Sequence, residues 1–234
     1  MYYFNPILTI AALAPAIYIL RYVYRHDKLE REPMSLIIAL VASGIVATVL
    51  AGFLENILFG VLDALFNYNT LIYQLISNYL FVGLVEEGCK YVLLKRKTWK
   101  NKEFNCSFDA VVYSVSVSLG FALWENLSYV YSYGLSTALI RAVTAVPGHA
   151  CFSVFMGAYY GLAKKAESRG DMAGMNQYLK MALIVPTFIH GSYDFVCSIE
   201  NIFGSAVFVI FIIAMFVVSL KLLKAAAAGD DYIA

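Results

Sequence analysis

The sequence predicts an all-α, polytopic integral membrane protein with about seven transmembrane helices, the N-terminus outside and the C-terminus inside. Three observations carry this expectation. Hydrophobic residues make up 61% of the 234-residue chain and charged residues 14%, whereas a soluble domain is nearer half apolar and a quarter charged. The apolar runs have the length of membrane helices, and none alternates like a barrel strand. Basic residues gather in every second connection, as expected of a chain crossing back and forth under the positive-inside rule.

Taken in order, spans are expected near 3–24, 34–55, 71–94, 108–131, 136–163, 180–198 and 204–224. The first run carries Ala12-Leu13-Ala14, but Pro15 follows and the run is too long for a signal peptide, so it reads as a helix. The segment 56–68, "NILFGVLDALFNY", is apolar but short and reads as an amphipathic helix at the interface. No stretch is long or polar enough to form a separate soluble domain. Residues 1–234 are therefore read as a single membrane-embedded domain whose catalytic helices occupy about 71–198.

The basic residues set the orientation. Arg21, Arg25, Lys28 and Arg31 flank the first loop, and Lys95, Arg96, Lys97, Lys100 and Lys102 fill the third. Lys164, Lys165, Arg169 and Lys180 fill the fifth, and Lys221 and Lys224 close the last span. The connections near 56–70, 132–135 and 199–203 carry no Lys or Arg. Seven crossings put every basic loop on one side, which the rule makes cytoplasmic. The tail "AAAAGDDYIA" reads as low-complexity and disordered. A net charge of +1 gives no footing for a nucleic-acid partner. The four cysteines, Cys89, Cys106, Cys151 and Cys197, fit neither a disulfide framework nor a zinc knuckle and read as small buried hydrophobes.

The informative residues are the polar ones inside apolar runs. "LFVGLVEEGCKYVLL" sets Glu86 and Glu87 side by side with Lys90 a turn later. "FALWENLSYV" holds Glu125 and Asn126, "RAVTAVPGHACF" holds Arg141 and His149, and "FIHGSYDF" holds His190 and Asp194. A charge at the centre of a membrane helix costs about 2.5–3.5 kcal/mol on insertion scales. Glu86 and Lys90, like His190 and Asp194, are four apart and share a helix face. Such faces turn to one another or to a water-filled cavity. Pro147-Gly148 and Pro186 loosen the backbone beside the two histidines, and Gly157-x-x-x-Gly161 predicts a close helix contact. Bland readings exist for each: a structural ion pair for Glu86–Lys90, a satisfied core imidazole for His149, an outward-snorkelling Arg141. The dipeptide Glu-Asn occurs at 55–56, 125–126 and 200–201. The first and last fall at expected span ends and read as interfacial, so only Glu125-Asn126 is drawn inward.

No G-x-S-x-G elbow, Ser–His–Asp order or H-E-x-x-H motif is present. Carboxylates and imidazoles in a partly dry cavity suit general acid–base activation of water, with a histidine to bind an oxyanion. Hydrolysis of a peptide bond inside the membrane is the natural reaction.

Four stretches, one per helix and in order, resemble the PrsW family of intramembrane proteases, within the superfamily of CAAX-processing and bacteriocin-processing endopeptidases. They are Glu86-Glu87-x-x-Lys90, Phe121-x-x-x-Glu125-Asn126, Arg141 through Pro147-x-His149, and His190-Gly191-x-x-Asp194-Phe195. The resemblance covers roughly residues 80–200. It implies a bacterial plasma-membrane protease making a site-1-type cut in a membrane-anchored, single-span anti-sigma factor, which releases an extracytoplasmic-function sigma factor under stress. It implies Glu86 as the base, Glu87 and Lys90 setting its charge and position, His149 assisting the water and His190 holding the oxyanion. Glu125-Asn126 stands where the CAAX-processing branch has histidine, and Asp194 where it has asparagine, so the division of roles among His149, His190 and Glu125 stays open. Asn126, Arg141 and Asp194 are supporting residues. No cofactor is favoured. A metal-dependent protease using Glu87, Glu125, His149 and His190 as ligands for zinc or iron is one alternative. A proton-coupled transporter or channel using the same groups as a relay is another, although the halves show no internal repeat.

Overall fold

The computed structural model describes residues 5–233, so the first residues of the expected first span lie outside it. In chain order the elements are α1 (Pro6–His26), α2 (Met34–Leu65), α3 (Leu71–Leu75), a π-helical stretch (Ile76–Gly83), α4 (Leu84–Thr98), α5 (Asp109–Tyr133), α6 (Leu135–Val143), α7 (Ala145–Ser168), α8 (Met172–Cys197) and α9 (Ile202–Ala228). Counting α3 through α4 as one passage and α6 with α7 as another, the helices make seven passages. Among the described residues the sole β contact is one isolated bridge, Cys106 with Tyr232.

Five helical segments are long and apolar enough to cross a membrane: α1, α2, α5, α6 with α7, and α9. The other two passages, 71–98 and α8, are the ones that carry Glu86, Glu87, Lys90, His190 and Asp194. In α8 the polar groups that build the interior dilute the apolar signal, whereas the 71–98 passage is split by its π-helical stretch, which leaves α4 15 residues long.

The bundle is organised around α5. Every residue from Asp109 through Ala122 is buried, and α1, α2, α4 and α7 pack around it. The apolar stretch of α5 is 78% buried, against 17% for α1 and 22% for α9, so the latter two turn most of their surface to lipid. The expected Gly157/Gly161 contact is present. A Cβ on Gly157 would stand 2.6 Å from the Val111 Cα and one on Gly161 2.8 Å from the Ser107 carbonyl, so α7 and α5 touch backbone to backbone. A Cβ on Gly191 would stand 2.9 Å from the Tyr79 Cα. That close approach draws α8 against the π-helical stretch and brings His190 beside Glu87.

Four expectations are corrected. The segment 56–68 does not form a separate interfacial helix, because α2 continues through it to Leu65. Asn56, expected at a helix end, donates to the Gly52 carbonyl at 2.7 Å within the helix, and nothing caps the chain there. At about 1.5 Å per residue α2 is about 48 Å long, well beyond a hydrocarbon core of about 30 Å. The span 136–163 breaks at Thr144 (φ −120°, ψ −78°) into α6 and α7. Pro147 explains the break, since its ring clashes with the carbonyl four residues back and it has no N–H to give. The helix over 71–94 contains a π-helical stretch, a rare form found mostly at functional sites. Finally, the tail is ordered against the bundle. Asp230 Oδ1 accepts from the Phe108 N–H at 2.8 Å, Ser107 N–H donates to the Asp231 carbonyl at 3.0 Å, and Ile233 N–H donates to the Asn105 carbonyl at 2.7 Å. Lys165 pairs with Asp231.

Candidate active site

Five elements, α4, α5, α6, α7 and α8, bring the polar residues together. The first turn of α4 holds Glu86 and Glu87, with Lys90 one turn on, and all three are buried. Lys90 Nζ donates to Glu86 Oε2 at 3.1 Å and to Glu87 Oε1 at 2.8 Å, and contacts His149 Nδ1 at 3.1 Å. It also stands 3.9 Å from the centroid of the Phe121 ring, a close cation–π contact. An ammonium has only protons to offer, so His149 Nδ1 accepts and its proton sits on Nε2. That Nε2–H donates to Glu125 Oε2 at 2.9 Å. Arg141 donates to the same oxygen at 2.8 Å through a terminal guanidinium nitrogen, and through Nε to Asn126 Oδ1 at 3.0 Å. Arg141 therefore pairs with an acid rather than snorkelling away. Its guanidinium also lies 4.1 Å from the Tyr129 ring centroid.

His190 completes the set from α8. Its Nδ1 lies 3.0 Å from Glu87 Oε1. Its Nε2 lies 3.3 Å from Asp194 Oδ2 and 3.9 Å from Glu86 Oε2. The i,i+4 spacing of His190 and Asp194 does put them on one face. Phe152 stacks on the His190 ring with centroids 4.5 Å apart and an interplanar angle of 22°, which locks the ring plane. The two imidazoles are neighbours, with centroids 5.3 Å apart.

These groups meet at a cavity of about 790 Å³ lined by Glu86, Glu125, Arg141, His149, His190 and Asp194. Glu87 and Lys90 do not reach it and lie behind its wall. Asn126 faces elsewhere: its Nδ2 donates to the Ala12 carbonyl at 2.8 Å, tying α5 to α1 while its oxygen holds Arg141. Along α5, Glu125 is 16 residues from Asp109, about 24 Å from the end that carries the basic loops, and His190 is 18 residues from Met172, about 27 Å along α8. The cavity thus occupies the half of the bundle remote from those loops.

One wall residue departs from the expectation that it is interfacial. Glu55 lines the same cavity, and its Oε1 is buried without a hydrogen-bond partner. The signal that could have found it is helix length. Once α2 runs to Leu65, position 55 is mid-helix rather than terminal. Glu200, by contrast, is exposed as expected. Around the site, among the described residues, Glu55, Glu86, Glu87, Glu125 and Asp194 face Lys90 and Arg141 as fixed cations. The surplus negative charge is left for bound protons or a bound cation to offset.

Comparison with known proteins decides the family. Residues 32–220 match the model described as "PrsW family intramembrane metalloprotease". The chain belongs to the PrsW family. It is 32% identical to Protease PrsW of Geobacillus kaustophilus (strain HTA426), over 83% of this chain and 81% of that protein. It is 32% identical to Protease PrsW of Bacillus subtilis (strain 168), over 80% of this chain and 81% of that one. It is 31% identical to Protease PrsW of Clostridioides difficile (strain 630), over 93% of this chain and 90% of that one. No solved structure matches. Membership of PrsW makes this chain a membrane-embedded protease, a hydrolase, and accounts for acids and imidazoles at membrane depth.

The metal named in the family description can be tested against the residues present. Glu86, Glu87, His149 and His190 each offer one donor atom, all within 4.8 Å of one another and all from buried side chains. Glu87 Oε2 is buried without a hydrogen-bond partner. Imidazole with carboxylate is a donor set that suits zinc, so the residues fit. Lys90 Nζ contacts three of the same four side chains and supplies a positive charge at the centre of the set.

Proposed function

We propose that this PrsW-family chain is an intramembrane endopeptidase that cuts a single-span membrane protein, with a water activated by Glu86. The observation that supports this most is the convergence of Glu86, Glu125, His149 and His190 on one cavity. Glu86 is the carboxylate of the opening pair that lines the cavity, so it acts as general base and later returns the proton to the leaving amine. Glu87, behind it, holds His190 Nδ1 and Lys90 and is a positioning residue. With Nδ1 held by Glu87, His190 Nε2 turns toward Glu86 and Asp194, where its proton can bind the oxyanion of a tetrahedral intermediate. His149 takes its orientation from Lys90 and Glu125 and helps to place the water.

The metal reading is the second one, favoured by the shared reach of the four donors. Glu86, Glu87, His149 and His190 would hold zinc, which would supply Lewis acidity at the scissile carbonyl. In this proposal the protein sits in the bacterial plasma membrane with the basic loops cytoplasmic, N-terminus outside and C-terminus inside, and the substrate is an anti-sigma factor cut on the outer side. A relay for proton transport is the weaker alternative.

The test is cleavage of a single-span anti-sigma factor by purified protein in lipid, with and without a chelator. Activity that survives chelation and disappears in Glu86→Gln supports the glutamate route. Loss on chelation and recovery with zinc supports the metal route. Absence of cleavage by folded wild type, with proton flux across the vesicle, would replace protease by transporter. Reporters fused after Lys97 and Arg169 should read cytoplasmic, and one after Tyr68 external.

A further inference from the structure

A second cluster of acids lies at the other end of the bundle, apart from the protease site. Asp27 and Glu32 come from the loop between α1 and α2, and Asp109 opens α5. All three are buried, at 0%, 3% and 0% exposure. One oxygen from each lies within 4.8 Å of the others. The carboxylates are held from outside. Asp109 Oδ2 accepts from the N–H groups of Asn105 at 3.1 Å and Cys106 at 2.7 Å, and Asp27 Oδ2 accepts from the Glu32 N–H at 3.4 Å. Their other oxygens, Asp27 Oδ1 and Asp109 Oδ1, together with Glu32 Oε2, are buried and have no hydrogen-bond partner. Among the described residues no lysine or arginine pairs with any of the three.

We propose that Asp27, Glu32 and Asp109 form a site for a hard divalent cation, Ca²⁺, Mg²⁺ or Mn²⁺, that clamps the α1–α2 loop to the start of α5. Three carboxylates at this separation, out of water, must either keep protons or take positive charge among them, and the unpartnered oxygens leave room for the second. Three converging oxygens with no imidazole or thiolate in the set select an oxygen-seeking ion over zinc or copper. The backbone donors fix one oxygen of Asp27 and one of Asp109, so the free oxygens are oriented before the ion arrives. The position supports a structural role. Glu125 is about 24 Å from Asp109 along α5, so the ion would sit far from the cavity and would take no part in catalysis.

The test uses the full-length protein in detergent, freed of metal by chelation and then titrated with Mn²⁺ alone, followed by electron paramagnetic resonance and by thermal melting. Ca²⁺ and Mg²⁺ arms rank the ions. To separate this site from the protease site, the titration is repeated on Glu86→Gln/His149→Ala. The expected result is Mn²⁺ binding that persists in that double variant and raises its melting temperature by several degrees. Asp27→Asn and Asp109→Asn should each weaken that binding at least tenfold and abolish the thermal shift. Binding unchanged in both Asn variants overturns the proposal, as does a wild type that binds no ion outside the protease site. If Asp109→Asn does not fold, Asp27→Asn and Glu32→Gln decide by the same readouts, since each keeps an oxygen acceptor and loses only the charge.

Discussion

The two glutamates that open α4 differ in what they touch, and that difference sets an experiment. Glu86 lines the cavity, its side chain is 8% exposed, and one oxygen accepts from Lys90. Glu87 has a side chain at 0% exposure, and one of its oxygens receives both Lys90 at 2.8 Å and His190 at 3.0 Å. A glutamine keeps an acceptor oxygen but not the charge. A hydrogen bond to a charged group is worth about 1.5–3 kcal/mol and a neutral one about 0.5–1.5, so each charge-assisted bond reduced to a neutral one costs about 1–1.5 kcal/mol. Glu86→Gln weakens one such bond and should cost about 1 kcal/mol of stability. Glu87→Gln weakens two and should cost about 2–3 kcal/mol. Activity should run the other way in cause. Glu86→Gln removes the base and should lower turnover by about 10²–10⁴, which is about 3–5 kcal/mol of barrier. Glu87→Gln should slow turnover through a misplaced His190. The assay is cleavage of a reconstituted single-span substrate, normalised to folded enzyme, beside melting of each variant in detergent. The reasoning fails if folded Glu86→Gln cleaves within a few-fold of wild type, or if Glu86→Gln is the less stable of the two.

Other outcomes follow from the same geometry. Glu55→Gln should lower cleavage about tenfold or more through the cavity wall, while Glu200→Gln, exposed in the loop between α8 and α9, should match wild type; equal rates for both would remove Glu55 from the site. Gly157→Val should destabilise by about 1–3 kcal/mol, because its side chain meets the Val111 backbone, and a melting temperature at the wild-type value would refute the close contact. Asp230→Ala should cost about 1 kcal/mol by uncapping α5, read as an earlier melt. Burial, reinforced by Asp109, pushes the Cys106 thiol up to about 12. At pH 8 its thiolate fraction is about one in ten thousand. Cys197, expected to be buried, is exposed, so a maleimide should label it in the folded protein and reach Cys106 only after denaturation. Early labelling of Cys106 would contradict its burial.

What could be read from sequence was what is encoded locally. Glu86–Lys90 and His190–Asp194 share faces because a helix repeats every 3.6 residues, and the Gly157/Gly161 contact follows from two absent side chains on one face. Apolar runs placed most helices because lipid tolerates little else. The misreadings share one feature, dependence on partners distant in the chain. From sequence, Glu55-Asn56 falls at the end of the 34–55 span, yet α2 has no stop signal until Phe66. The tail reads as low-complexity and disordered because it has no core of its own, but its partners are Asn105, Ser107 and Lys165. The π-helical stretch leaves no residue pattern of its own in "ISNYLFVG". Asp27, Glu32 and Asp109 look like ordinary loop and cap acids until the fold buries them together.

The cap on α5 also imposes an order on biogenesis. Phe108 and Asp230 are 122 residues apart. At about 5–20 residues per second, synthesis of the intervening chain takes about 6–25 s. Throughout that interval the most enclosed helix of the bundle sits in the bilayer with its first turn open, while the helices that will surround it are still arriving. Segment 230–233 then closes the end of a helix inserted long before it, so the protein reaches its finished form at the membrane surface rather than within the lipid.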